Sequence, residues 1–302
     1  ADMLTNFKEL ENYVLSQNMK KRIALANAHD EPALSAVVNA RRKGVVEGTL
    51  VGKKNEIIAM LHEMGESEND YEIVDFDGEE LEAAKIAVQL VREGKADIPM
   101  KGILQTSNFA RAILNKETGL IPTGGRRLVS QCGIFEYEGR FVMITDAAIN
   151  IAPDVETQIG IVENALPVAR ALGIDCPKVA VLSAVENVTD KMPSTVSAKE
   201  IAERGVEGCV ISGPLALDGA ISMESVKHKA IHDPVAGQAD ILLVPFIEIG
   251  NVLYKACTYI AGKTMASTIC GASCPVIITS RADTPDSKYY SILMAVLRCL
   301  KA

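Results

Sequence analysis

The sequence predicts an α/β protein built from two doubly wound domains. Three observations carry this. Short apolar runs rich in β-branched residues alternate with longer stretches of helical spacing, the signature of a parallel sheet wrapped by helices. The 302 residues are enough for about two domains. The alternation is interrupted once, between about 121 and 145, by two adjacent β-rich runs.

Taken in order, residues 4–20 read as an amphipathic helix with Leu4, Phe7, Leu10, Val14 and Leu15 on one side. RIALANA (22–28) is a strand, followed by a helix from about Glu31. GTLVG (48–52) is a strand, and the helix after it ends at Gly65. YEIVDF is a strand, Asp77 the expected cap of a helix from Glu79 to Glu93, and IPMKGIL (98–104) a further strand. Leu128–Tyr137 and Arg140–Thr145, separated by Glu138-Gly139, predict an antiparallel hairpin. A helix over 155–174 contains Pro167 and is expected to kink there. KVAVL is a strand that ends at Ser183. Ser197 and Glu200 have capping-box spacing and predict the next helix start. CVISGPL and ADILLVPF are strands, and 250–262 a helix. Cys274–Thr279 is expected as the last strand. Thr284 and Pro285 then open the last helix as N-cap and first helical residue. This organisation places 1–125 with 268–302 in one domain and 126–267 in the other.

Composition narrows the function classes. The chain is 48% hydrophobic with a net charge of −8 spread along its length, which fits a soluble protein with a large core and argues against nucleic-acid partners. The first residues, ADMLTNFKELENY, lack a signal-peptide pattern. No apolar run reaches the roughly 18–20 residues of a membrane span; the longest, ADILLVPFIEIG, contains Pro245 and Glu248. The seven cysteines include no C-x-x-C pair and sit mostly in apolar segments, as reduced thiols of a cytoplasmic protein do.

Several strands end in small, hydroxylated, amide or basic residues: Asn27, Thr106, Ser183, Ser280 and Arg281. In a parallel sheet such ends lie along one edge, where helix N-termini present free N–H groups to anions. Between the Cys274–Thr279 run and the last helix stand Ser280, Arg281 and Asp283. A hydroxyl beside a guanidinium suits phosphate, because arginine offers a planar fork of donors. The plain alternative is Arg281 paired at the surface with Asp283 or Asp286. ILQTSNFARAIL sets Thr106 at a second helix start, with Arg111 on that helix as a cation in reach of an anion or as a solvated residue. TGGRRL offers flexible backbone with Arg126 and Arg127, as a phosphate loop or a surface turn. Neither a G-x-G-x-x-G after a strand nor a P-loop occurs, which disfavours nicotinamide dehydrogenases and P-loop enzymes of the usual type. Asp146, Asn150 and Asp154 are candidate polar ligands, with Asx turns as the simpler reading. His228 and His232 have i, i+4 spacing, but flanking lysines and no carboxylate make a basic helix end the better reading, so no metal site is expected. Without G-x-S-x-G or a Cys–His pair, no covalent intermediate is expected.

SGPLALDGAIS, DPVAGQADILLVPFIEIGNVLYK and PVIITSRADTPDSK, with KVAVLSAVENV, ITDAAINIAPD and MKGILQTSNFARAIL, resemble the phosphate acetyl- and butyryltransferase family from about residue 97 onward. The SRAD wording is closer to the butyryl branch. The resemblance implies two α/β domains on a scaffold like isocitrate and isopropylmalate dehydrogenases, with the active site in a cleft between them. It implies reversible transfer of a short-chain acyl group between CoA and inorganic phosphate by direct attack in a ternary complex. The expectation that follows is no permanently bound cofactor, CoA and phosphate as substrates, and a cytoplasmic homodimer or higher homo-oligomer without membrane or nucleic-acid partners. By residue, Ser280 and Arg281 match the family's catalytic Ser-Arg pair, and Arg111 matches a second phosphate-binding arginine after a one-residue shift. Asn251, Tyr254 and Lys255 match its GN..YK segment, with Asn251 and Lys255 assigned to substrate binding along with Thr106 and Ser183. Acetyltransferases carry an aspartate, a few residues past Ser-Arg, that deprotonates the CoA thiol. Here that position falls at Lys288, with Asp283 and Asp286 alongside, and Asp286 in the first helical turn is the expected base. A catalytically weak CoA-binding or acyl-phosphate-binding protein and an oxidoreductase on a related scaffold remain the alternatives.

Overall fold

The computed structural model describes residues 2–302. They form two compact units. One comprises Lys8–Arg127 and Ala266–Ala302; the other comprises Leu128–Met265 with the residues up to Phe7.

The first unit holds α1 (Phe7–Ser16, which begins at the boundary), β1 (Lys21–Ala26), α2 (Glu31–Arg42), β2 (Val46–Gly52), α3 (Lys54–Glu63), β3 (Glu72–Asp75), α4 (Glu80–Arg92), β4 (Ile98–Lys101) and α5 (Thr106–Leu114). Its strands run in the order β3-β2-β1-β4, all parallel, with Ala26 opposite both Val51 and Lys101. β1 is buried from Ile23 to Ala26, as a parallel strand covered on both faces must be. The α4 cap is Glu79 rather than Asp77, and Glu80 is drawn instead to the start of α5.

The second unit holds β5 (Ser130–Tyr137), β6 (Arg140–Thr145), α6 (Val155–Ala171), β7 (Lys178–Leu182), α7 (Pro193–Arg204), β8 (Val210–Leu215), α8 (Leu217–Ile221), α9 (Met223–Lys229), β9 (Ile241–Leu243) and α10 (Ile247–Tyr259). Its strands follow the order β5-β6-β9-β7-β8. β5 and β6 form the expected hairpin, with Glu138 at φ 48° and Gly139 at φ 78°, the positive values that a tight primed turn requires. The other pairs are parallel. Pro167 lies inside α6. α7 starts at Pro193, not Ser197. A proline fits the first turn because its missing N–H would be unpaired there, and buried Thr195 ties the preceding loop by accepting the Thr189 N–H at 2.9 Å.

The chain returns to the first unit through β10 (Ala266–Cys270) and α11 (Pro285–Leu300). β10 packs on α11: Ser267 N–H donates to Ser291 Oγ at 2.9 Å, and Arg298 donates to Thr268 Oγ1 and Ile269 O at 2.8 Å. The strand expected over Cys274–Thr279 reduces to two single bridges, Ile277 with Met100 and Val276 with Ile269. Pro275 lacks an N–H, which shortens any ladder there. Ile277 still extends the sheet beyond β4, donating to Pro99 O and accepting from Lys101 N, both at 3.0 Å.

Candidate active site

The strand order of the first unit dictates where a ligand can sit. From β1 the chain moves outward to β2 and β3, then crosses back to β4 on the other side. Helices leave β1 and β4 in diverging directions, so a crevice opens beyond their carboxyl ends. The two ends are stitched together. Gly102 N–H donates to Ala26 O at 2.8 Å, Ile103 N–H to Asn27 O at 3.1 Å, and Asn27 Nδ2 to Ile103 O at 3.0 Å. Asn27 adopts φ 55° to make this turn. Gly102 is the residue the approach demands: a Cβ there would lie 2.2 Å from Asn27 O.

A cavity of about 280 Å3 occupies that crevice. Asp30 enters it from the start of α2, Lys101 to Gln105 from the end of β4, Thr279 to Arg281 from the run after Ile277, and Lys288 from α11. Arg281 Nη1 donates to Asp30 Oδ1 at 2.9 Å, so its partner is neither Asp283 nor Asp286. The Asp30 side chain is only 7% exposed, that of Arg281 68%. Lys101 Nζ donates to the carbonyls of Leu104 at 2.9 Å and Gly102 at 3.2 Å. Burial lowers its pKa, while Asp30 and Glu80 oppose that. Lys288 is a buried lysine at 8% exposure, and among the described residues no hydrogen bond holds its ammonium. Glu80 accepts from Gln105 N and Asn108 Nδ2, both at 2.9 Å, bonds that hold its carboxyl below its usual range. Three cations and two carboxylates thus surround a small space, and both carboxylates already have partners.

The turn carrying Ser280 is built by Asp283. Asp283 Oδ2 accepts the Ser280 N–H at 2.8 Å, Asp283 N–H donates to Ser280 O at 3.0 Å, and Ser280 Oγ accepts from Ala282 N at 3.3 Å. Burial raises the Asp283 pKa against the pull of the Ser280 N–H and Lys288. Thr284 Oγ1 then caps α11 by accepting from Ser287 N at 3.1 Å, with Pro285 as its first residue. Asp286 is exposed in the first turn. It lines a groove of about 600 Å3 between α2 and α11, which shares Pro32, Arg281 and Lys288 with the smaller cavity.

Ser280, Arg281, Asp283, Asp286 and Lys288 are therefore gathered within one unit. Thr106 opens α5 and is exposed. Arg111, exposed on the same helix, lines a separate space with Glu79, Glu80 and Glu82. Ser183, Asn251 and Lys255 belong to the other unit. Ser183 Oγ lies 2.8 Å from Ser194 Oγ and 3.3 Å from Met192 Sδ, while Asn251 and Lys255 are exposed on α10. Asp30, Lys101 and Glu80 were not singled out from sequence. The available signal was position: Asp30 precedes the expected α2, and Lys101 closes the apolar run of β4.

Other candidates resolve into ordinary structure. Asp146 accepts from the N–H groups of Ala148, Ile149 and Asn150, and Asp154 caps α6 through Thr157 N at 2.8 Å. Arg127 Nε donates to Leu114 O at 2.6 Å. α9 ends at Lys229 with Ala230 left-handed, so exposed His228 and His232 do not share a helix face. Among the described residues no group of three or more His, Cys, Asp or Glu is arranged to hold a metal ion, no helix is long and apolar enough to cross a membrane, and no disulfide joins any of the seven cysteines.

A match to the family described as phosphate acetyl/butaryl transferase covers residues 79–296. The chain belongs to that family. It is 44% identical over 301 residues to the phosphate butyryltransferase of Clostridium acetobutylicum, covering 98% of each chain. Among solved structures it resembles a branched-chain phosphotransacylase from Enterococcus faecalis V583, with a TM-score of 0.82 and 36% identity, covering 93% of this chain and 99% of that one. A 4-hydroxythreonine-4-phosphate dehydrogenase from Klebsiella pneumoniae, at TM-score 0.54 and 11% identity over 92% of this chain and 98% of that one, shares the fold alone. The transferase family and a dehydrogenase thus share a fold, which by itself does not fix the chemistry.

Proposed function

We propose that this chain transfers a short-chain acyl group, butyryl or similar, reversibly between CoA and inorganic phosphate. The observation that supports this most directly is the cavity at the β1–β4 switch point, where Ser280, Arg281, Lys101 and Lys288 converge. Its volume suits a phosphate group rather than a whole cofactor, and its spare donors are cationic. Membership of the family and the similarity to a phosphate butyryltransferase point the same way.

In the forward reaction a phosphate oxygen attacks the thioester carbonyl carbon. A C–O bond forms, the carbonyl electrons move to oxygen, and their return breaks the C–S bond. CoA leaves as thiolate and acyl phosphate is released. Negative charge on phosphate is met by Arg281 and Lys288. The Ser280 hydroxyl donates to the developing oxyanion, an interaction strongest in the transition state. In reverse, the CoA thiol must lose its proton; free thiols titrate at about 8.5, so a base or neighbouring cations must help. Asp286, with no protein partner among the described residues, is the carboxylate assigned to that step. Thr106, Arg111, Ser183, Asn251, Lys255 and Asp283 are assigned to substrate binding. The two domains, 1–125 with 268–302 and 126–267, act together, and no metal ion takes part.

We also take the protein to be a cytoplasmic homo-oligomer. In support of self-association, α10 exposes Ile249, Val252 and Tyr259 at 38%, 67% and 70%, and its C-cap Ile260 is 87% exposed, an apolar stripe at helical spacing of the kind that interfaces cover.

The deciding experiment is release of free thiol from acyl-CoA on addition of phosphate, run over acetyl, butyryl and branched acyl chains with and without chelator. Phosphate-dependent release that chelator leaves unchanged is expected. No release with any acyl-CoA would return the chain to the binding-protein reading.

A further inference from the structure

We propose that Asp30 is a positioning residue for phosphate: it anchors one edge of the Arg281 guanidinium so that the other edge faces the cavity. The inference rests on the reading of Arg281 as the phosphate-binding arginine.

Two independent features of Asp30 call for an explanation. The first is a helix cap left unmade. Asp30 occupies the N-cap position of α2, where aspartate ordinarily accepts an N–H from the first turn. Here no side-chain cap bond forms, and Pro32 in the first turn has no N–H to offer. The carboxylate points away from its own helix to Arg281, 251 residues later in the chain. The second is burial. Asp30 is 6% exposed, and a buried carboxylate is costly unless partnered. Arg281 is that partner, yet Arg281 is itself largely exposed. The pair is lopsided: a buried carboxylate holds an exposed cation.

An unanchored arginine distributes its fork over many rotamers, and binding an anion has to freeze them. With Nη1 held at 2.9 Å by Asp30, much of that ordering precedes binding. The remaining guanidinium nitrogens have no protein partner among the described residues and stay available to phosphate oxygens. The charged groups around Asp30 are Arg281, Lys101, His29 and the adjacent Glu31.

Simple charge arithmetic predicts the reverse of positioning. Asp30 is an anion beside an anion site, so removing it should tighten phosphate binding. Positioning requires that removal weaken it. The test is therefore the Michaelis constant for inorganic phosphate, with butyryl-CoA as co-substrate, in Asp30→Asn, Asp30→Ala, Arg281→Ala and the Asp30→Ala/Arg281→Ala double variant. Asp30→Ala is expected to raise the phosphate KM roughly ten-fold, within the range for coupled neighbours, with the butyryl-CoA KM little changed. Asp30→Asn, which keeps an acceptor and the side-chain volume, should fall between Ala and the native residue. It also supplies the measurement if Asp30→Ala does not fold. In the Arg281→Ala background the Asp30 substitution should add nothing to the phosphate KM. As an activity-independent readout, the rise in Tm that phosphate gives the native protein should shrink in both Asp30 variants.

A phosphate KM unchanged or lowered in both Asp30 variants, while Arg281→Ala raises it, would overturn the positioning role and leave the Arg281 reading standing. An equal effect of Asp30→Ala with and without Arg281 would also overturn it, because Asp30 would then act through another group. If Arg281→Ala itself left phosphate KM unchanged, the reading of Arg281 would fall and the proposal with it.

Discussion

The Asp283 carboxylate accepts the Ser280 N–H at 2.8 Å while lying close enough to Lys288 to feel its charge. The turn that presents the candidate hydroxyl is thus closed by a carboxylate whose pKa burial has raised. In the interval between the ordinary carboxylate value of about 4 and that raised value, the folded protein holds a proton the unfolded chain has lost. Stability therefore falls as pH rises through this interval. Asp283→Asn keeps an acceptor for Ser280 but removes the titration. Its Tm is expected to decline less than the native protein's over that interval, measured by thermal melts at stepped pH; parallel curves would count against it.

Ser280 and Arg281 separate by kinetic signature. Ser280→Ala should lower kcat by roughly a hundred- to a thousand-fold if its hydroxyl serves the oxyanion. Arg281→Lys keeps the charge and loses the fork. It should raise the phosphate KM about ten- to a hundred-fold, the equivalent of one charge-assisted hydrogen bond, and lower kcat, with CoA affinity little changed. Steady-state kinetics in both substrates distinguishes the two patterns.

The base is tested by the pH–rate profile for acyl phosphate plus CoA. If Asp286 removes the thiol proton, Asp286→Asn loses rate at every pH. If cations alone hold the thiolate, that substitution is nearly silent and Lys288→Met moves the rising limb to higher pH. Silence of both Asp286→Asn and Asp283→Asn would remove the carboxylates from this step.

Gly102→Ala should be among the most damaging small substitutions in the chain. Its Cβ would meet Asn27 O at 2.2 Å and Ala26 O at 2.5 Å, and neither backbone oxygen can move without breaking the stitch between β1 and β4. A loss of about 3 kcal/mol or more is expected, read from the urea midpoint at unchanged slope. Gly94→Ala is the comparison: nothing lies within 4 Å of its Cβ, so at φ 74° it should cost only the left-handed backbone strain, about 1–2 kcal/mol.

Self-association through α10 predicts that Val252→Glu with Tyr259→Glu yields a smaller species in sedimentation velocity without loss of secondary structure. An unchanged sedimentation coefficient would send the search for the interface elsewhere.

The sequence was most legible where structure is decided by neighbours. Glu138-Gly139 announced the hairpin, Thr284-Pro285 announced α11, and the alternation of runs announced the parallel strand pairs of both sheets. β10 escaped notice because ASTIC is five residues of mixed polarity, without a long apolar run or a clean alternation. The start of α7 was misplaced because a good capping pattern at Ser197 competes with a proline four residues earlier, and proline fixes the backbone more firmly. In the site, Ser280 and Arg281 could be read from their place after an apolar run and before a helix. The partner of Arg281 could not. Asp30 meets it only because the strand order brings the end of β1 beside the end of β4, and the Ile277 run beside that. Local pattern carries no information on which distant carboxylate will be delivered there.

The separation of Asp30 from Arg281 also bears on how the protein is made. β1 to β4 emerge from the ribosome early, but their unit is completed by residues after 265. Until Ile277 is synthesised, the outer edge of β4 has no strand-like neighbour on that side, and an uncovered edge invites pairing with other chains. Every nascent chain must therefore carry an open-edged half while the whole 128–265 segment is translated. Conditions that slow translation of that segment should lower the yield of soluble protein more than the same delay placed before β1.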